Sequence, residues 1–281
     1  MPEPILEIKG LVVQYRTTKG DVTAVDGVDL TVNRGEILGV AGESGCGKST
    51  MAVSILGLIR PPGYVREGQV IFHPRKGAPI DLLTCSPRQL RAIRWGNISY
   101  LPQGSMNSLN PIARVRDQFT DVMEEHGERG DRSGIRDRID LLLGEVGLDA
   151  TVADMYPHEL SGGMKQRVLM AMAIALSPDL VIADEPTTAL DVTIQRVIVQ
   201  NLAELSRKFG VTLLVITHDM GVHAQLDDRV AVMYQGRIVE TGGVRQVFKD
   251  PQDEYTQRLI RSIPTLDVNQ RAKAEAQESA R

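Results

Sequence analysis

The run Gly42-Glu43-Ser44-Gly45-Cys46-Gly47-Lys48-Ser49 holds glycines, a lysine and a hydroxyl at a spacing suited to polyphosphate. The glycines let the backbone fold into a ring of N–H groups, Lys48 reaches the outer phosphates, and the Ser49 hydroxyl is placed for Mg²⁺. The run follows an apolar, strand-like stretch over 36–41 and opens a helix-like stretch from Thr50 to Leu58. A helix beginning near Lys48 turns its positive end toward the same anion, so Gly42 to Thr50 form one phosphate-binding turn. A Gly/Ser-rich turn that binds nothing is the competing reading, and the strand-turn-helix setting disfavours it. Nucleotide binding follows from this P-loop, and the use of the nucleotide does not.

Two further segments carry chemistry. Leu180-Val181-Ile182-Ala183-Asp184-Glu185 is an apolar strand ending in two carboxylates. Behind a P-loop, the first carboxylate at such a strand end helps hold Mg²⁺, which leaves the second to act on an attacking water. Leu160-Ser161-Gly162-Gly163-Met164-Lys165-Gln166-Arg167 places a hydroxyl and two glycines at the start of an apolar helix running through Leu176. A helix N-terminus with free N–H groups is an anion site, and an N-cap with a flexible approach is the other reading of the same residues.

The elements that must position these groups can be read from periodicity. Over the first 35 residues apolar and polar positions alternate (Leu6, Ile8, Val12, then Val25, Val28, Leu30, Val32), with turns at Lys19-Gly20-Asp21 and Asn33-Arg34-Gly35, which predicts a partly antiparallel sheet. Strand-like runs recur at Leu180–Ala183 and Val211–Thr217 with a helical stretch Val192–Phe209 between them, the pattern of parallel strands joined by right-handed crossovers. Between Gln103 and Pro178 the chain reads as mostly helical, with a charged stretch over 124–138 and an amphipathic run Ile139–Val146, and is expected to be an insertion into the core. Closing strands are expected at Arg229–Tyr234 and Arg237–Glu240, helices near Val244–Phe248 and Asp253–Ser262, and a weakly ordered polar tail over 263–281. The fold class is therefore α/β: a P-loop core with a mainly parallel sheet, an N-terminal antiparallel β subdomain and an inserted helical subdomain at about 104–178, the whole nucleotide-binding domain covering 1–262.

Composition sets bounds on function. At 281 residues and 42% hydrophobic the chain can bury one sizeable core. Its longest apolar run, Val168–Leu176, is nine residues, far short of the roughly 20 that a bilayer-spanning helix needs. A net charge of −4 argues against broad nucleic-acid binding. Arg88, Arg91 and Arg94 form one short basic stripe, expected to be a solvated helix face. The start Met1-Pro2-Glu3-Pro4 lacks the marks of a secretory signal, and Cys46 and Cys85 are expected to be free thiols of a reducing compartment.

Taken together, these segments resemble the ATPase subunit of an ATP-binding cassette transporter. The family's signature matches Leu160–Gln166, with Met164 where Gln is commonest; its D-loop matches the segment from Asp184 to Asp191, and its switch histidine Thr217-His218-Asp219. The resemblance implies two ATPase subunits packed head to tail, each ATP lying between one subunit's P-loop and the other's signature. It implies that Lys48 and Ser49 bind phosphates and Mg²⁺, that Gln103 of the Q-loop senses Mg²⁺ and the attacking water, and that Asp184 supports the metal. Glu185 is the implied general base and His218 the γ-phosphate contact. Ser161, Gly162 and Gly163 face the partner's nucleotide, Asp191 bridges the subunits, and Tyr15 stacks on adenine.

Tyr100-Leu101-Pro102-Gln103-Gly104-Ser105-Met106-Asn107-Ser108-Leu109-Asn110-Pro111 is similar to the Q-loop of oligopeptide, dipeptide and nickel importers, and the signature and D-loop to their D-type ATPase. The Asp253–Ile260 helix echoes that subfamily, while its cysteine-bearing extension is not matched, so no iron-sulfur cluster is implied. The implied partners are two transmembrane permease subunits, a second F-type ATPase or a second copy of this chain, and, indirectly, a solute-binding protein. The implied place is the cytoplasmic face of the membrane, held peripherally. Peptides, oligosaccharides and metal chelates remain open as cargo. A soluble cassette ATPase acting on DNA or ribosomes, and a nucleotide-gated regulator with a degenerate site, are the remaining alternatives; single copies of each motif and the intact Lys48, Asp184, Glu185 and His218 disfavour both.

Overall fold

Alternation in the first 33 residues produces a long hairpin, β1 (Pro4–Thr17) and β2 (Gly20–Asn33), whose apolar face buries Leu6, Ile8, Leu11 and Val13 against Val25, Val28, Leu30 and Val32. The chain then enters β3 (Ile37–Ala41), every residue of which is buried, as a strand covered on both faces must be. The structure, a computed structural model, describes residues 3–126, 132–188 and 190–262. The tail expected over 263–281, part of the charged stretch over 124–138 and Ala189 of the D-loop lie outside the described residues.

After β3 come α1 (Lys48–Ile55), β4 (Gly63–Phe72), β5 (Ile80–Asp81), α2 (Pro87–Ile93) and β6 (Ile98–Leu101). The helical segment supplies α3 (Val115–Glu125), α4 (Arg132–Glu145) and α5 (Gly162–Ala173). The chain returns through β7 (Leu180–Asp184), α6 (Val192–Phe209), β8 (Thr212–Ile216), α7 (Met220–Leu226), β9 (Arg229–Tyr234), β10 (Arg237–Gly243), α8 (Val244–Lys249) and α9 (Glu254–Arg261).

Among the described residues the strands make two sheets. One is four-stranded and antiparallel, in the order β2-β1-β4-β5; the other is six-stranded, in the order β10-β9-β3-β8-β7-β6, parallel except for the β10–β9 pair. One apolar core lies between the antiparallel sheet, α1 and the near face of the parallel sheet, with Phe72, Met51, Leu38 and Ile182 at its centre. A second covers the other face and joins it to the helical segment, where Phe119, Leu142 and Val168 meet Ile198, Leu202 and Val215. The parallel order brings the C-terminal ends of β3, β6, β7 and β8 to one edge, where ligands bind in open α/β sheets.

Several boundaries differ from the expectation. Helix α1 begins at Lys48, where the phosphate-binding turn is expected to enter it, because Gly47, at φ 110°, turns the loop directly into it, but it stops at Ile55 rather than Leu58 because Gly57, at φ 60°, ends the turn. The apolar helix expected through Leu176 closes at Ala173, and Ser177 follows in a left-handed conformation. Strand β4 was not anticipated: Arg66 and Glu67 interrupt its alternation, and Gly68, at φ 113°, marks a register shift against β1. The basic stripe is not uniformly solvated. Arg88 and Arg91 are exposed, but the Arg94 guanidinium donates to Leu56 O (2.7 Å) and Gly57 O (3.1 Å), closing the end of α1.

Candidate active site

The turn between β3 and α1 is held by close backbone approach. At Gly47 a Cβ would overlap Ala24 O, and at Gly42 it would overlap Met233 O, so neither position admits a side chain. Lys48 is 6% exposed and its ammonium donates to Gly42 O (2.7 Å) and Glu43 O (2.9 Å), with Cys46 Sγ at 3.7 Å. Ser44 and Gly45 are exposed at the tip and Thr50 sits on the first turn of α1. Tyr15 is half-buried, its ring against Gly63 and its hydroxyl 3.4 Å from Thr50 Oγ1.

The end of β7 meets this turn. Ser49 Oγ donates to Asp184 Oδ1 (3.0 Å), and the Tyr100 hydroxyl, at the end of β6, donates to Asp184 Oδ2 (3.1 Å). Burial pushes the Asp184 carboxyl up, while the two hydroxyl donors oppose that shift. Burial, reinforced by the Asp184 charge, likewise holds the Tyr100 hydroxyl protonated far above its ordinary range. Hydroxyl and carboxylate oxygens side by side at the root of the P-loop are the hard donor set that suits Mg²⁺ completed by phosphate and water.

One residue on, Glu185 sits at φ 52°, a left-handed conformation uncommon outside glycine. Its carboxylate accepts from four donors: His218 N–H (3.1 Å) and Nδ1 (2.7 Å) on Oε1, and the hydroxyls of Thr188 (3.1 Å) and Thr217 (3.2 Å) on Oε2. Its own N–H donates to Ile216 O (2.7 Å), so the ends of β7 and β8 are tied through one residue. Lys48, Ser49, Asp184, Glu185 and His218 are thus gathered at one sheet edge.

The other residues singled out from sequence stand apart. Gln103 is exposed in the turn after β6 and makes no side-chain hydrogen bond among the described residues; its neighbour Ser105 donates to Gln166 Oε1 (3.3 Å) on α5. Ser161 caps α5, its Oγ accepting from Met164 N–H (3.3 Å). Gly162 is exposed, while Gly163 is buried and a Cβ there would press on Ile194. Asp191 is exposed and caps α6, accepting from Ile194 N–H (2.9 Å). The signature and the D-loop segment of one chain are therefore neighbours. Tyr100, Thr188 and Thr217, which lie within the motif segments but carry no expected role, orient the two acids through their hydroxyls.

Similarity to known proteins bears on what this edge does. The ABC transporter family model matches residues 25–188. The oligopeptide transport ATP-binding protein OppD of Bacillus subtilis is 42% identical over 265 residues, covering 94% of this chain and 73% of that protein. The dipeptide transport ATP-binding protein DppD of the same organism is 42% identical over 270 residues, covering 95% of this chain and 79% of that protein. Among solved structures, a dimeric ATP-binding cassette in a post-hydrolysis state with ADP and phosphate superposes with a TM-score of 0.74 at 27% identity, over 85% of this chain and 99% of that one. With a family model matched over 25–188 and relatives 42% identical over nearly its whole length, the chain belongs to the ABC transporter family, as one of its ATP-hydrolysing cassettes.

Proposed function

We propose that the chain powers a peptide importer: it binds ATP between its P-loop and a partner's signature, and hydrolysis resets permease subunits to which it is attached. The observation that carries the reading is the convergence of Lys48, Ser49, Asp184, Glu185 and His218 at the C-terminal edge of the parallel sheet. The peptide assignment is supported by relatives named for oligopeptide and dipeptide transport that span nearly the whole chain.

Ser49 Oγ and Asp184 would hold Mg²⁺, with Gln103 reaching it from the Q-loop, and Tyr100 keeps Asp184 oriented. Bound there, the cation neutralises charge on the β- and γ-phosphates. Lys48 turns from the loop carbonyls to the phosphate oxygens, a short rotation of a flexible stem. Glu185 acts as general base, but its four lone-pair sites are filled by protein donors. Release of His218 Nδ1 toward the γ-phosphate frees one site on Oε1 for the water's proton. Hydrolysis is thereby gated by the switch histidine. Ser161 and Gly162 lie exposed for the partner's nucleotide and Asp191 for the partner's surface, while Tyr15 offers its ring to adenine.

Residues 1–262 form the nucleotide-binding domain in this reading, with 104–178 as its helical subdomain. Among the described residues no helix is long and apolar enough to cross a membrane, which accords with a subunit held peripherally by permeases. An F-type ATPase is the second cassette and a solute-binding protein delivers cargo. Phosphate release by the co-purified complex, with and without peptide-loaded binding protein, tests this. Glu185→Gln should cut kcat by about 10²–10⁴-fold, and the isolated chain should hydrolyse ATP only weakly. Full turnover by the Glu185→Gln complex, or rapid turnover by a demonstrated monomer, would defeat the shared-site reading.

A further inference from the structure

Two buried titratable side chains take no part in that mechanism. His223 and Asp227 lie one turn apart on α7 with both side chains fully buried, Asp227 Oδ2 standing 2.5 Å from His223 Nδ1. The other ring nitrogen, Nε2, is 3.2 Å from Thr217 O, the carbonyl immediately before His218. Asp227 Oδ1 is buried and has no hydrogen-bond partner among the described residues. Room for the pair is made by Gly39 on β3, where a Cβ would overlap both Asp227 Oδ2 and His223 Nδ1.

Both ring nitrogens therefore face oxygen. A carbonyl only accepts, so Nε2 must carry a hydrogen, and a second proton must lie between Nδ1 and Oδ2, where a bare carboxylate would repel an imidazole lone pair. A pair holding these two protons is neutral overall whichever atom carries the shared one, and neutrality is what burial favours.

We propose that the neutral His223–Asp227 pair is a positioning strut for the switch loop, gripping Thr217 by its carbonyl and so fixing the Glu185–His218 contact. The path is short. The Thr217 hydroxyl donates to Glu185 Oε2, its N–H donates to Val40 O, and the next residue's N–H donates to Glu185 Oε1. Loss of the shared proton leaves one ring hydrogen for two acceptors. It settles on Nδ1 against the full charge of the carboxylate, and Nε2 then turns a lone pair on Thr217 O. The strut lets go as pH rises.

The surroundings concentrate this response on the pair. Burial first, and the nearby Asp228 charge second, push the Asp227 carboxyl up to about 6, against the opposing contact with His223. Asp228 itself accepts from Ile37 N–H, and β3 brings no titratable group. From the switch loop, Asp219 is engaged by Gln195 of α6 and by Gly221 N–H. The charged residues of α6 (Arg196, Glu204, Arg207, Lys208) and of α8 (Arg245, Lys249) are exposed, and Arg229 of β9 is drawn to Glu36.

The inference rests on the ATPase reading, and its test separates the two. Phosphate release by the assembled complex is followed from about pH 6 to about pH 9, a span around the ordinary imidazole range, for wild type, Asp227→Asn and His223→Ala. The wild type should lose kcat on the alkaline limb with KM for ATP unchanged. In Asp227→Asn an amide donates permanently to Nδ1, so that limb should move out of range. His223→Ala should lower kcat about tenfold, roughly one hydrogen bond's worth of positioning, and remove the limb. In parallel, nitrogen NMR of the full histidine-labelled chain should find Nε2 of His223 protonated at neutral pH and its proton relocated over the same midpoint. Superimposable profiles for wild type and Asp227→Asn, or a bare Nε2 at neutral pH, would overturn the strut. A wild-type complex that releases no phosphate would instead sink the ATPase reading, and the NMR titration would still decide the pair.

Discussion

The space beneath Gly39 can be tested by a double-mutant cycle. Gly39 lies in a regular strand outside the left-handed glycines, so alanine is allowed by the backbone and on conformational grounds alone should stabilise by about 0.5–1 kcal/mol. Its methyl group, however, would overlap Asp227 Oδ2 and His223 Nδ1, and neither side chain has solvent to retreat into. The top of the overpacking range, about 1–3 kcal/mol, meets the bottom of the range for splitting a buried pair, about 3–5, so Gly39→Ala should destabilise by about 3 kcal/mol. Asp227→Ala leaves His223 Nδ1 unpaired, at about 1–3 kcal/mol, but removes the nearer overlap and leaves a volume into which the His223 ring can turn from the methyl. The double variant should then be no worse than Asp227→Ala alone, a coupling of about −3 kcal/mol where independent sites give near zero. Urea unfolding of the full chain at neutral pH measures all four corners. Additive losses would refute the steric account.

Two other substitutions follow from contacts outside the acid pair. The Tyr255 hydroxyl on α9 accepts from Glu43 N–H (3.1 Å) in the P-loop while its ring stacks on Tyr234 at 4.0 Å, so Tyr255→Phe keeps the stack and loses the tie. It should shift KM for ATP severalfold, about 1 kcal/mol, with the melting temperature nearly unmoved; an unchanged KM would dismiss any part for α9 in shaping the loop. Asp179, with a side chain 5% exposed, pairs with Arg75 at 2.7 Å and accepts from Asn97 Nδ2 at 3.2 Å. Asp179→Ala should cost about 1–2 kcal/mol by removing the shared acceptor of Asn97 and of an Arg75 that stays largely in solvent, read as a lower urea midpoint, and a loss within error would show the cluster to be solvent-screened.

Chemistry carried by contiguous residues was legible in the sequence, and chemistry carried by packing was not. The P-loop, the Asp184-Glu185 strand end and Thr217-His218 each declare themselves because strand, turn and helix starts have local signals, and β9 and α6 fall where periodicity places them. Strand β4 escaped because its middle residues are exposed and its bulge breaks the alternation. The Arg94 clasp escaped because nothing in a basic helix pattern says which cation will find the carbonyls of a helix end 37 residues away. Gly163 is a related case: a glycine that makes room for Ile194 and one that bares an N–H read alike in one dimension. His223 and Asp227 at i and i+4 look like any solvated pair on a short helix until β3 is laid over them, with glycine at the one place where a side chain would collide.

The positive φ of Glu185 shows why so many hydroxyls gather at this edge. A left-handed acidic residue costs on the order of 1–3 kcal/mol and persists only where its surroundings over-determine it. Here the N–H of Glu185 is held by Ile216 O and its carboxylate by Thr188, Thr217 and both nitrogens available on His218. Most of those donors come from the single turn Thr217-His218, so whatever moves that turn moves the base. Thr217 is itself suspended between Val40 of β3, the P-loop strand, and His223 of α7. A change at the P-loop therefore reaches Glu185 through the same residue that the buried pair grips. The base need not sense ATP directly: displacement of His218 by the γ-phosphate removes the 2.7 Å contact, and the remaining donors keep the strained backbone in place while one carboxylate oxygen becomes available.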